Sequence, residues 1–572
     1  TNAAKAVRTF EKAWQLAKAA LNEGKEAVTI YVCGKVQVSA EEAWGEENTE
    51  NIIVMRADGY KGALAEVTTG GALTLQNITI DGNKGTGHTD SLIHVKGGRL
   101  FIQNGAVLQN NLAGRTEKGY DGGAIYIEKG TGEMTGGKIQ NNTARNNGGG
   151  VSVCYGSFTM SGGEIVENTA VYGGGICAVR GAQLEIKDNA LISNNRAREG
   201  GGINLGAHTT AEAYYDKKQQ TLEMVGGTIS ANSATSSGGG IFVQSNSTAV
   251  ISKGDIVKNT TTATSSFRYR GAGIYVNGGK NTLLDTSDDN IPNGVLKLYN
   301  VEIANNKSNE YGGALAACPT ANVKIYVTEG AVLHDNQTET KSATDIYIAK
   351  SKDESLTSYV SDFMLGGGMY QWMWGKTADG NRAEQSQYQN TAKEVKLSGL
   401  CNDTDIESAK KLATVHITGN QAQVGDGGGI ATNGDVIIGS PSDADAEIKI
   451  YKSWEDKDNK YNTRPDKIKM DIQYGKYMLR GIELTKEDDW TATLHNMPND
   501  ILKQQNPSVN VLEYDSGKYS LGKIKDEIQD NVLTINIENQ YTHPTGKLTV
   551  EKEVAGTHGD KDKEFNFIVT LE

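Results

Sequence analysis

Apolar positions along most of this chain come in short runs of three or four, too brief for helices and separated by Gly or Asn. One stretch shows the pattern clearly: Leu184-Glu185-Ile186, then Ala190-Leu191-Ile192, then Gly202-Ile203-Asn204-Leu205. Runs rich in β-branched and aliphatic residues, bounded by turn formers, predict strands. Only residues 3 to 22 read otherwise. There Phe10, Trp14, Leu16, Ala17 and Leu21 recur at helical spacing, with Lys and Glu elsewhere, and Gly24 supplies the stop.

The strand runs repeat. An aliphatic-x-x-Asn phrase occurs at Ile80 to Asn83, Leu108 to Asn111, Ile139 to Asn142, Ile165 to Asn168 and Ile192 to Asn195. It returns at Ile229 to Asn232, Ile256 to Asn259, Ile303 to Asn306, Leu333 to Asn336 and Ile417 to Asn420. A Gly-Gly-Gly or Gly-Gly-Ala phrase follows, starting at Gly122, Gly148, Gly173, Gly200, Gly238, Gly312 and Gly427. A third, Met134-Thr135-Gly136-Gly137 and its relatives at Met160 and Met224, precedes the Asn phrase. Where nothing intervenes, the steps cluster near about 26 residues. Three strands and three turns per unit predict one coil of a right-handed parallel β-helix, and Gly triplets forbid helical repeats of that length. Stacked coils would bring each Asn over the next, forming amide ladders. A dozen or more rungs about 4.8 Å apart give a rod on the order of 60 Å. An open end rung needs a cover, so residues 1–24 are expected to cap one end and 25–440 to form the β-helix.

These phrases resemble the repeats of polymorphic outer-membrane proteins and of Gram-positive β-helix surface proteins, over roughly residues 70 to 440. The resemblance implies an exported protein carried on a cell surface.

Near Pro441 the pattern changes. Ile448, Ile450, Lys452 and Trp454 alternate, a polar turn Glu455-Asp456-Lys457-Asp458-Asn459 follows, then Thr463-Arg464-Pro465. Val509, Val511 and Glu513 alternate again, as do Ile535, Ile537, Asn539 and Tyr541. Period-2 strands between polar turns predict a small Ig-like β-sandwich over 441–541. Its Lys-x-Trp-x-Asp opening and Ile-x-Asn-x-Tyr close resemble a collagen-adhesin B-type domain, although Val509 stands where that family often carries an aromatic. By alternation Lys452, Glu513 and Asn539 face inward, where an unpartnered lysine tends to lose its proton and become a nucleophile. The resemblance implies an isopeptide bond between Lys452 and Asn539, with Glu513 moving protons. The bland alternative is a lysine snorkelling to the edge with Glu513 as its ion partner. Either way no turnover enzyme results.

Residues 542–572 read as a linker, Thr542-His543-Pro544-Thr545-Gly546, and an opening strand pattern with Lys552. This resembles the start of a pilin-type isopeptide domain, which makes Lys552 a second candidate cross-linking lysine. The start Thr1-Asn2-Ala3-Ala4 lacks signal-peptide character and the end falls inside a strand pattern, so a trimmed fragment is expected, with export and cell-wall anchoring signals outside it.

Composition narrows function. Gly numbers 69 against 7 Pro, and the net charge of -13 leaves no basic footprint for nucleic acid or anionic membrane. No stretch is long and apolar enough to span a bilayer. Five separated cysteines, Cys33, Cys154, Cys177, Cys318 and Cys401, form no CxxC pair and read as buried single thiols, so neither a metal nor another cofactor is expected. Polysaccharide-cleaving enzymes also use β-helices, and a lyase or glycoside hydrolase is the alternative function. Its carboxylate cluster is not evident: Asp288-Asp289 and His88 stand without the required neighbours, and Asp443 and Asp445 lack calcium-loop spacing. Insertions at roughly 206 to 220, 260 to 270, 280 to 295 and 345 to 410 are expected to project as loops. The last contains Gly366-Gly367-Gly368 ahead of Tyr370, Trp372 and Trp374. These aromatics either contact a ligand, a surface glycan or matrix protein, or cover the far end of the rod.

Overall fold

The computed structural model describes residues 6–87, 89–114, 122–206, 218–262, 269–279, 291–339, 343–351, 353–375, 381–440, 446–475, 477–542, 546–560 and 562–570. His88, Asp288, Asp289, Asp443, Asp445 and much of the first three expected loops lie outside them. The described chain is all-β apart from short helices. Through residue 261, the described strands one repeat apart pair in parallel. Ser157–Met160 pairs Thr131–Met134 on one edge and Gln183–Ile186 on the other, for example, and Ile176–Val179 lies between Val151–Cys154 and Ile203–Leu205. Inward residues such as Phe158, Ile165, Ile176, Leu184 and Ile192 are fully buried in one continuous core.

The buried Asn ladder runs through this core, and its logic is electrostatic. Asn195 donates its backbone N–H (2.9 Å) and its Nδ2 (3.0 Å) to Asn232 Oδ1, and its Nδ2 also reaches Ile165 O (2.8 Å). Asn168 repeats this toward Asn195, and Asn142 toward Asn168. One end therefore exposes an acceptor and the other a donor. At the acceptor end the buried Arg56 guanidinium donates to Asn111 Oδ1 (3.2 Å); at the donor end Asn336 Nδ2 meets the buried Asp345 carboxylate (3.0 Å). Opposite charges at the two ends match the ladder's direction. Asn83 is outside the ladder: it is part-exposed, and its amide serves Arg56 O and Asp58 instead, because Arg56 occupies the position above Asn111. Nor do the ladder asparagines take the left-handed turn conformation. The residue before each one does, as at Asn194 (φ 56°), Ala231 (φ 54°) and Lys258 (φ 57°).

The Gly phrases mark a corner without room for side chains. Gly173 has φ 65°, and a Cβ on Gly174 would lie 2.5 Å from the Gly201 carbonyl oxygen of the next repeat.

Sequence order and spatial order then part. The last repeat, Val415–Thr418 through Asp435–Ile438, is inserted among earlier ones. Val415–Thr418 pairs Gly254–Val257 on one edge and Val301–Ala304 on the other, and Ile430–Thr432 lies between Ile274–Val276 and Leu315–Ala317. The Asn ladder accordingly runs 259, 420, 306, 336.

Both ends of the stack are covered. Thr9 caps helix Phe10–Asn22, and Phe10 stacks on Trp44 at 3.9 Å with Ala17 buried. Leu16, expected in the apolar stripe, is 51 % exposed. At the far end the pairing is mixed rather than parallel throughout. Val395–Leu400 runs antiparallel to Ile346–Ile348 and to Gln371–Trp374, while Gln389–Thr391 runs antiparallel to Ser358–Val360.

Residues 446–541 form a seven-stranded sandwich. One sheet has the order Thr491–Met497, Ala446–Glu455, Val532–Tyr541, Tyr519–Gln529; the other has Tyr477–Thr485, Lys467–Tyr474, Val509–Tyr514. The sandwich is seated on the 363–410 segment. Arg480 Nε and Nη2 donate to both oxygens of Asp405 (2.6 and 3.1 Å), the Arg480 amide meets Met369 Sδ, and Phe363 joins the sandwich core.

Candidate functional site in the sandwich core

The first and last strands of the sandwich, Ala446–Glu455 and Val532–Tyr541, lie side by side in parallel, with Lys452 opposite Ile537 and Trp454 opposite Asn539. Period-2 alternation turns Ile448, Ile450 and Lys452 inward on one strand and Leu533, Ile535, Ile537 and Asn539 inward on the other. Lys452 and Asn539 therefore share one face, a diagonal step apart. Glu513 comes from the opposite sheet, where Val509–Tyr514 pairs Lys467–Tyr474. The three side chains that alternation assigned to the interior thus meet there.

Their contacts are direct. Lys452 Nζ donates to Glu513 Oε1, and Asn539 Nδ2 donates to Glu513 Oε2 at 2.6 Å. The Lys452 side chain is 0 % exposed and that of Glu513 5 %, so the lysine does not snorkel to the edge. Burial pulls the Lys452 amine below the ordinary lysine range, against the opposing pull of Glu513. Asn539 Oδ1 is buried and has no hydrogen-bond partner. Trp454 lies beneath the amine, 5.6 Å from ring centroid to Nζ.

Chemically, one proton passed across the Lys452–Glu513 contact leaves a neutral amine and a neutral acid in a water-poor core. The amine can then attack Asn539 Cγ while the acid protonates the amide oxygen. Rotation of the Asn539 amide brings its unsatisfied oxygen toward Glu513.

From its sequence the Glu455–Asn459 stretch reads as a polar turn. In fact Asp456 is buried, accepts two bonds from Arg464 (both 2.6 Å) and one from Tyr519 (2.9 Å), and is held at about 2 by those partners, the Arg464 bond first. The Lys-x-Trp-x-Asp spacing was the signal: Asp456 falls on the same inward period as Lys452 and Trp454. It clamps the strand end beside Lys452.

Residues 448–540 match the family model of the Cna protein B-type domain. No curated protein and no solved structure matches the chain. The Cna B-type domain thus covers both strands that carry Lys452 and Asn539, and Glu513 between them.

The other candidate residues are placed differently. Tyr370 is 5 % and Trp372 2 % exposed. The Tyr370 hydroxyl accepts from Leu333 N (2.8 Å) and donates to Ala331 O, and Trp372 Nε1 donates to Ser361 O (3.0 Å). Both pack into the stack core, so neither is available as a ligand contact; Trp374 is half-buried against the same core. The glycines before them seat the sandwich: Gly367 has φ 91°, and a Cβ there would overlap the Tyr477 ring. Lys552 lies in an exposed segment outside any strand. Cys154 and Cys177 are buried thiols as expected, but Cys33 is exposed. Among the described residues no group of three or more His, Cys, Asp or Glu is arranged to hold a metal, and no helix is long and apolar enough to cross a membrane.

Proposed function

We propose that this chain is part of a Gram-positive cell-wall surface protein of adhesin type. In this reading the repeat stack is a right-handed parallel β-helix held out as a binding or spacing region, and the Cna B-type domain is a covalently locked stalk module. Cna B-type domains are typical of surface adhesins and stalk proteins. The observation that carries the reading is the buried Lys452–Glu513–Asn539 arrangement.

The maturation step is a single intramolecular transfer. Lys452 Nζ forms an amide bond to Asn539 Cγ, the Cγ–Nδ2 bond breaks, and Nδ2 leaves as ammonia carrying the proton relayed through Glu513. Joining the first strand to the last means that pulling on the two chain ends cannot unzip the sandwich. Loss of ammonia makes the step irreversible and leaves no turnover. A glycan or matrix protein on a host or microbial surface is the partner class this reading implies, together with attachment to the cell wall.

Intact mass of the purified chain beside Lys452→Ala tests the proposal. A deficit of one ammonia in the parent, with Lys452 and Asn539 in one cross-linked peptide, is the expected result. Full calculated mass, with both residues in unmodified peptides, refutes the cross-link.

A further inference from the structure

The repeat at 414–438 is last in the repeat region by sequence but internal by position, and its attachments are unlike those of an end repeat. Both edges of its strands are paired. Asp435–Ile438 lies between Val295–Leu298 and Asn322–Ile325, Gln421–Ala422 pairs Thr260–Thr261 and also contacts Lys307, and the two other strands are flanked as described above. Asn420 occupies a full ladder position. Its Oδ1 accepts from Asn259 N (2.9 Å) and Nδ2 (3.1 Å), and its Nδ2 donates to Asn306 Oδ1 (2.9 Å) and Ile256 O (2.9 Å). Val415, Ile417, Ile430, Val436 and Ile438 are buried in the common core.

The inserted repeat also bridges two blocks. Val301–Ala304 pairs the inserted strand and Ala331–His334 but not residues 247–257; among the described strands, only Val295–Leu298 pairs the earlier block directly. The chain leaves this repeat at Ile438 and begins the first sandwich strand at Ala446, the strand that carries Lys452. Tension carried along the backbone from the C-terminal side therefore reaches the stack through a segment held between two other repeats, with the Arg480–Asp405 seat beside it.

We propose that residues 414–438 act as a mechanical clasp, making the junction between the repeat stack and the stalk resistant to peeling. An end repeat has one free edge and can detach alone, one bond at a time. The clasp has to be drawn from between two neighbours, and its departure leaves the strands that follow Val301 joined to the earlier block through Val295–Leu298 alone, so they are released with it. The function of such a clasp rests on the stalk reading, which supplies the tension; the mechanical behaviour does not.

Single-molecule force extension of the full chain, held at the N-terminus and beyond Tyr541, tests this. The first step from the stack is expected to release residues 295–438 together, a gain on the order of 500 Å at about 3.5 Å per residue. Asn420→Ala is expected to lower the force of that step, and Asn336→Ala, at the donor end of the same ladder, to leave it unchanged. An earlier, weaker step of about 90 Å, the length of residues 414–438 alone, overturns the clasp. So does equal weakening by the two substitutions. The parent chain decides through its step length without any variant. A Lys452→Ala chain run beside it separates the two proposals: extension of the sandwich in both chains refutes the cross-link, while the stack step still reports on the clasp.

Discussion

Replacing Asn195 by Ala removes an internal member of the ladder, and its cost can be worked out bond by bond. The Asn195 side chain donates to Ile165 O and Asn232 Oδ1 and accepts from Asn168 N (2.9 Å) and Asn168 Nδ2 (3.1 Å). Truncation leaves the Asn168 N–H without a partner in a site closed to water; Asn168 Nδ2 keeps its bonds to Ile139 O and Val166 O. An orphaned buried donor costs about 1–3 kcal/mol, and the lost bonds and the small cavity add about 1–2 kcal/mol. The total is about 2–5 kcal/mol. Because each repeat contacts mainly its neighbours, the loss is local, and the fitting assay is native-state hydrogen exchange of residues 165–232. Protection there is expected to fall by a factor on the order of 30 or more, with little change near residues 52–80. Asn83→Gly, which removes side-chain bonds to the Arg56 carbonyl and Asp58 at a part-exposed site whose left-handed backbone (φ 50°) glycine accepts, is the control, with an expected cost under about 1 kcal/mol. Equal losses from Asn195→Ala and Asn83→Gly would refute the ladder as a source of stability.

Stability should also depend on pH through Glu302, His334 and His416. Burial alone would pull His334 down, but its bonds to Glu302 (3.0 Å) and Asp335 (2.7 Å) hold it above the ordinary imidazole value. The Glu302 bond (2.7 Å) raises His416, with Asp255 adding to it, and the two imidazoles hold Glu302 at about 2. Their stabilisation is complete between the unfolded values near 4.5 and 6.5; it fades above as the histidines deprotonate and below as Glu302 protonates toward 2. Thermal melts from pH 5 to 9 should show a decline that Glu302→Gln flattens, and parallel profiles would count against it. Gly367→Ala should weaken the seat of the sandwich by about 1–3 kcal/mol without altering the Lys452–Asn539 mass deficit, since the added Cβ meets the Tyr477 ring at a positive-φ position. Thiol titration of the native chain should find Cys33 fast and Cys177 silent until unfolding, because burial closes Cys177 off and pushes its thiol up to about 12; rapid labelling of Cys177 would contradict that packing.

Strand identity, the ladder and the inward lysine were legible because each depends on local period. Alternation alone turns Lys452 and Asn539 to one face, and a recurring Asn after an aliphatic marks a fixed place in each repeat. What could not be read depends on contacts between distant segments. Asn83 carries the ladder phrase yet is displaced by Arg56, whose claim on Asn111 crosses 55 residues. Tyr370 and Trp372 follow a Gly triplet as binding aromatics on a loop would, and only their tertiary bonds to Leu333, Ala331 and Ser361 put them inside. Asp456 looked like turn polarity until Arg464 and Tyr519 closed on it.

The inserted repeat is the sharpest case, because all its local signals are those of an ordinary repeat. Ile417 to Asn420 and Gly427-Gly428-Gly429 would fit at any level of the stack, since every level offers the same Asn amide and the same glycine corner. Its level is chosen by what lies between. Val301–Ala304 does not pair with 247–257, which leaves an open site of one repeat's height with the ladder amides of Asn259 and Asn306 facing it. Filling that site satisfies both. It also frees the far end of the stack from carrying the exit of the chain, so that end can be closed by antiparallel strands around Val395–Leu400. The 363–410 segment beside those strands then offers Asp405 and the Gly367 backbone to the sandwich. A repeat that returns to the interior thus lets one insertion do two jobs, covering an exposed edge and seating the next domain.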